Sequence, residues 1–141
     1  MADHEQARAI QTGLPFPTPT IVGCVIAVNK TFFESIGSFD ESLRIWGGEN
    51  SELSFRAWMC GSKVMTVTCS RIGHAFKNFP YSFDGNKEET VQKNLMRVAD
   101  AWMDGMRKFF YASTRVYSFK QAVFDKDDLE TLDVRKEMRK S

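Results

Sequence analysis

Residues 45–74 read IWGGENSELSFRAWMCGSKVMTVTCSRIGH, and the parsing of this stretch decides the fold. Trp46, Gly47, Gly48, Glu49 and Asn50 stand together at its start, and a single histidine, His74, closes it. Glu49 to Cys60 holds helix formers and no proline, and Gly61 stops the run. The spacing predicts a helix with Leu53, Ala57 and either Phe55 or Trp58 facing a core. Lys63 to Cys69 then alternates polar and apolar side chains, many of them β-branched, which is the pattern of a strand delivering Gly73 and His74 at its far end.

A helix that begins at Glu49 sets this carboxylate in the first turn, where the helix dipole favours negative charge. Gly47 and Gly48 lack Cβ, so they permit positive φ and leave room for a ligand against the backbone. An indole beside a carboxylate suits carbohydrate, because the ring covers an apolar sugar face while the acid accepts hydroxyl protons. The same five residues also read as a core tryptophan, a glycine turn and a capping acid, and local spacing alone does not separate the two.

Upstream, Pro15, Pro17 and Pro19 hold the chain extended and lead into Thr20–Val28, whose β-branched residues predict a buried strand. Gly23 interrupts that strand, which marks a bulge or the close approach of another group. Lys30 to Ile36 reads as a short helix between Asn29 and Gly37, with Phe32, Phe33 and Ile36 as core candidates. Asp40 and Glu41 are acids in a connecting segment, where solvation or capping is the usual role. Glu5 to Ile10 suits a short helix ended by Gly13, and the adjacent Asp3 and His4 belong to a frayed end rather than a metal site.

Downstream, Phe76 to Asn86 is turn-rich and aromatic, as expected of a loop lying over a site. Glu88 to Ala112 predicts one long helix, with Val91, Leu95, Val98, Ala99, Trp102, Met106, Phe109 and Phe110 forming an apolar stripe over the sheet. Arg115 to Phe124 is irregular or strand-like, and Asp125 to Ser141 reads as a charged helix with one solvated face. The organisation expected is an N-terminal extension over 1–16, a main unit over 17–124 and a charged tail over 125–141.

The 141 residues suffice for one domain with a core, and 43% apolar content with 12 Phe and 3 Trp marks a globular chain. A net charge of +1, from 19 basic and 18 acidic residues, gives no electrostatic case for nucleic acid. No apolar run approaches the roughly 20 residues of a membrane helix, and the N-terminus lacks a signal-peptide layout, so the chain reads as soluble. Cys24, Cys60 and Cys69 form no CxxC pair, and Cys24 reads as a small buried thiol.

WGGEN, followed by SFRAW, CGS, VTCSRIGHAF and PYSF, with PTPTIVGC before and AWMDGMRKFFY after, resembles the polypeptide N-acetylgalactosaminyltransferases from about Pro17 to Tyr111. The resemblance implies an α/β fold: the C-terminal half of a GT-A (Rossmann-like) glycosyltransferase domain, a mixed sheet with packing helices. It further implies transfer of N-acetylgalactosamine from UDP to Ser or Thr of a protein, Mn2+ as cofactor, and a Golgi-lumenal parent whose membrane anchor is absent from this chain. By correspondence, Trp46, Glu49 and Asn50 are catalytic-site residues, with Trp46 gating. Gly23, Gly47, Gly48, Phe76, Lys77 and Tyr81 face the substrate, and His74 ligates metal together with an Asp-x-His motif that is missing here. The family's cysteines matching Cys60 and Cys69 pair outside this region, so here the two either pair with each other or stay free.

Three departures from the family pattern stand out: Cys24 replaces the second glycine of a pair, Lys77 an arginine and Phe79 a histidine. Lysine keeps the charge but not the bidentate fork of arginine. Two alternatives follow, a non-catalytic paralogue or fragment that binds carbohydrate or a partner protein, and a β-1,4-galactosyltransferase-like enzyme.

Overall fold

The computed structural model describes residues 2–75, 81–113 and 126–138. Its elements in order are α1 (Ala2–Thr12), β1 (Phe16–Pro17), α2 (Lys30–Ser35), α3 (Glu49–Met59), β2 (Met65–Thr66), α4 (Lys87–Trp102), a 3-10 turn (Asp104–Met106), α5 (Arg107–Ser113) and α6 (Lys126–Glu137). None of these helices is long and apolar enough to cross a membrane.

Helix ends fall where local chemistry places them. Asn29 Oδ1 accepts from Phe32 N at 3.0 Å to open α2, and Asn86 Oδ1 accepts from Glu88 N at 2.8 Å to open α4. Gly48 caps α3 in the left-handed conformation, with Glu49 and Glu52 in the first turn. The core forms where α4 lies against α3 and α6, around Val98, Ala101, Trp102 and Leu132, with Leu43, Phe55 and Met138 packed on it. The charged C-terminal stretch is helical as expected, and its inner face carries Leu132 and Arg135 into the interior.

The long helix expected over 88–112 is broken. Asp104 adopts φ 45° and Gly105 follows, two residues with poor helix propensity at the point where the chain turns. Beyond the break Met106 and Phe109 are exposed, so the apolar stripe splits and its buried part ends at Trp102. That part packs on helices rather than on a sheet.

Among the described residues, sheet structure is one antiparallel pair, with Phe16 opposite Thr66 and Pro17 opposite Met65, extended by Thr18 N donating to Val64 O at 2.9 Å. The strand expected over Lys63–Cys69 is thus only two residues long. Thr20–Val28 is not a strand: Val22 is 77% exposed and Val25 54%. A β-branched run becomes a buried strand only with neighbours to bond and cover it, and among the described residues the sheet consists of β1 and β2 alone. Cys24 shares that exposure, contrary to the buried thiol expected, and all three cysteines are free.

Candidate functional site

The segment entering the site, residues 36–40, is fixed from below by arginines. Arg56 Nη1 donates to Ile36 O at 2.8 Å. Arg135 donates to Gly37 O at 3.0 Å and to Phe39 O at 2.8 Å. Asp40 is buried and accepts from Arg97 Nε at 2.9 Å and from Arg97 Nη2 at 3.1 Å, a two-pronged pair. Arg97 also reaches Asp128 O on α6 at 2.8 Å. Next to these lies the Glu52–Arg56 pair at 2.7 Å, with side chains 2% and 0% exposed. Burial raises the Glu52 pKa above the ordinary carboxylate value, more than the attraction of Arg56 and Arg135 lowers it. Burial likewise lowers the Arg56 pKa against the pull of Glu52.

Above this charged floor the chain turns sharply, with positive φ at Ile45 (60°), Gly47 (105°) and Gly48 (96°). A β-branched residue such as Ile45 is strained there by roughly 1–3 kcal/mol, so the surroundings must hold it. Asn94 of α4 does so. Its Oδ1 accepts from Arg44 N at 3.0 Å, and its Nδ2 donates to Arg44 O at 2.8 Å and to Trp46 O at 3.1 Å.

The glycine pair is needed for close approach, but the approaching group is α4. A Cβ on Gly47 would lie 3.1 Å from Val91 Cγ1, and one on Gly48 would lie 3.3 Å from Val98 Cγ2. Glu49 Oε2 accepts from Gly47 N at 2.7 Å, so this carboxylate braces the turn it follows. Gly23 meets Asn50 directly: a Cβ there would overlap the Asn50 amide. Ile21 N, donating to Ser54 Oγ at 2.8 Å, ties the same segment to α3. Two residues 27 positions apart in the chain, both expected in the site, are thereby in contact.

Trp46 is 43% exposed, and Lys87 Nζ lies 6.0 Å from its ring centroid. A cleft of about 270 Å³ opens between Trp46, Glu49, Asn94 and Phe39, with Asp40 and Glu52 at its base. Tyr81 is 52% exposed and His74 is exposed. Among the described residues no three His, Cys, Asp or Glu side chains converge as a metal-binding group. Phe76, Lys77 and Phe79 lie outside the described residues.

Residues 4–79 match the family described as the N-terminal domain of galactosyltransferase. Polypeptide N-acetylgalactosaminyltransferase 13 of Homo sapiens is 46% identical over 99 residues, 70% of this chain and 18% of that protein. Polypeptide N-acetylgalactosaminyltransferase 14 of Homo sapiens is 37% identical over 140 residues, 99% of this chain and 25% of that protein. The chain belongs to the polypeptide N-acetylgalactosaminyltransferase family. Among solved structures of the family, the crystal structure of GalNAc-T7 with UDP, GalNAc and Mn2+ superposes with a TM-score of 0.75 at 32% identity, over 99% of this chain and 25% of that one. The GT-A assignment stands on that superposition. The chain spans a quarter or less of the polypeptide N-acetylgalactosaminyltransferases it matches.

Asn94, Arg97 and Arg135 carry no assignment from the sequence, yet they hold the Trp46–Asn50 turn and its approach. A signal is present for Asn94: it sits three residues after Val91 and four before Val98, in register with the stripe that faces Gly47 and Gly48.

Proposed function

We propose that this chain forms the sugar- and acceptor-facing part of a retaining glycosyltransferase that moves N-acetylgalactosamine from UDP to Ser or Thr hydroxyls of proteins in the Golgi lumen. The observation that carries this proposal is the braced turn Trp46–Asn50, with an exposed indole, a carboxylate and an amide set side by side and Gly23 seated on the amide. Trp46 covers the sugar face and gates the site, Glu49 and Asn50 bond hydroxyls of sugar or acceptor, and Gly23, lacking Cβ, makes room for the Asn50 amide. Gly47 and Gly48 set the loop close to α4, Lys77 and Tyr81 serve the diphosphate end, and Phe76 faces the substrate.

GalNAc-T7 is seen with Mn2+. The exposed imidazole of His74 fits as one donor to such an ion, which takes nitrogen alongside carboxylate and phosphate oxygens. The described residues offer no set of three, so they do not by themselves make a manganese site. For the chain on its own we expect little or no transferase activity. When bound, the ion supplies charge stabilisation for the departing diphosphate. Manganese-dependent UDP release by the full-length gene product tests the assignment: loss on His74→Ala supports it, and full activity in that variant sinks the metal role.

The exposed thiol of Cys24, beside the Gly23–Asn50 contact, favours a second reading, a carbohydrate-binding module without turnover. Binding of the sugar nucleotide without release of UDP from a full-length product would establish it. Donor choice between UDP-galactose and UDP-N-acetylgalactosamine, on peptide and on N-acetylglucosamine acceptors, separates the galactosyltransferase alternative.

A further inference from the structure

Asn29-Lys30-Thr31 is an Asn-x-Thr tripeptide with lysine, not proline, in the middle. Such tripeptides accept N-linked oligosaccharide in chains that enter the secretory route, provided that the folded protein leaves the asparagine at its surface. All three residues are exposed, and the Lys30 side chain is 86% exposed, in a loose 3.7 Å pair with Glu34. The two ends of the Asn29 amide are divided in use. Its Oδ1 accepts from Phe32 N at 3.0 Å, while Nδ2 has no hydrogen-bond partner among the described residues.

We propose that Asn29 is a site of N-linked glycosylation, an inference that rests on the lumenal placement given under Proposed function. In the transfer, Nδ2 forms a bond to the anomeric carbon of an oligosaccharide carried on a lipid diphosphate. The carbon–oxygen bond to the diphosphate breaks, the lipid diphosphate leaves with that electron pair, and Nδ2 gives up one proton. No oxidation or reduction occurs. The product keeps Oδ1, so the bond to Phe32 N that opens α2 survives modification. Residues 22–31 are exposed throughout, so an attached oligosaccharide displaces no buried side chain.

The full chain expressed in eukaryotic cells, in its native gene context and separately behind a cleavable secretory leader, provides the test. Peptide N-glycosidase converts a glycosylated asparagine to aspartate, which mass spectrometry locates. The expected result is conversion at Asn29 with a gain in gel mobility on digestion. Thr31→Ala, which leaves the Asn29 cap in place, and Asn29→Asp, which keeps a capping oxygen but offers no amide nitrogen, should both abolish the gain. An unmodified Asn29 in the leader-directed, secreted chain overturns the inference. Modification with the leader but not in native context supports the site and overturns the lumenal placement instead.

Discussion

Asn94 holds Trp46 by its main chain, donating through Nδ2 to the Trp46 carbonyl at 3.1 Å, while the same amide grips Arg44 through two further bonds. One side chain on α4 thus fixes the entry to the turn that displays the indole, and the strained Ile45 lies between its two points of attachment.

Asn94→Ala removes three hydrogen bonds and leaves three backbone groups of residues 44 and 46 without this partner. Stability should fall by about 1–3 kcal/mol in urea unfolding, with a shift in Trp46 emission. An unchanged midpoint and spectrum would show that the turn is held by something else.

The glycines give a graded comparison. A Cβ on Gly47, at φ 105°, would stand 3.1 Å from Val91 Cγ1, whereas one on Gly61, at φ 78°, would have nothing within 4 Å. Gly61→Ala therefore meets only the backbone penalty, about 1 kcal/mol, and Gly47→Ala meets that penalty plus overpacking. Equal losses in thermal melts would remove α4 as the reason for the glycine at 47.

Glu52 carries a pH dependence whose sign is fixed by burial. Its folded pKa is raised, so the folded state holds this proton more tightly than the unfolded chain does. The contribution is fully present below the unfolded value and is lost as pH rises through the folded value. Wild type should therefore gain stability relative to Glu52→Gln as pH falls from neutral toward the ordinary carboxylate range. A gap that is flat with pH, or that moves the opposite way, would contradict a desolvated carboxyl. Glu52→Ala, which strands Arg56, should cost about 3–5 kcal/mol at neutral pH.

Trp102 and Met106 lie four residues apart on what the sequence presents as one stripe. Trp102 is 2% exposed and Met106 60%. Trp102→Ala should cost about 3–5 kcal/mol and Met106→Ala less than about 0.5 kcal/mol. Comparable losses would mean that the helix continues unbroken through residue 104.

Those two residues show what periodicity conveys and what it omits. Helices α2 and α3 and the start of α4 are legible because Asn29, Gly48 and Asn86 are local caps, and capping depends on neighbours in sequence. The break at Asp104 is not, because the apolar spacing runs on past it. Thr20–Val28 has strand composition, but composition does not supply a paired neighbour, and here the segment stays exposed. In the site, Trp46 to Asn50 are readable as a unit, while Arg97 and Arg135 carry no assignment from the sequence. Their burial depends on Asp40, 57 residues from Arg97, and on carbonyls 96 and 98 residues from Arg135, which no local pattern reports.

The most direct measurement is transfer of N-acetylgalactosamine to a Ser- or Thr-containing peptide by the full-length gene product, wild type against Glu49→Gln. Gln keeps an oxygen for Gly47 N, so the turn should remain folded with an unchanged melting temperature, while the acceptor for substrate hydroxyls loses its charge. The expected result is a fall of roughly 100-fold or more in kcat/KM at unaltered stability. Transfer at the wild-type rate by folded Glu49→Gln would show that the braced carboxylate is a structural cap and that the Trp46–Asn50 turn is not where the sugar is handled.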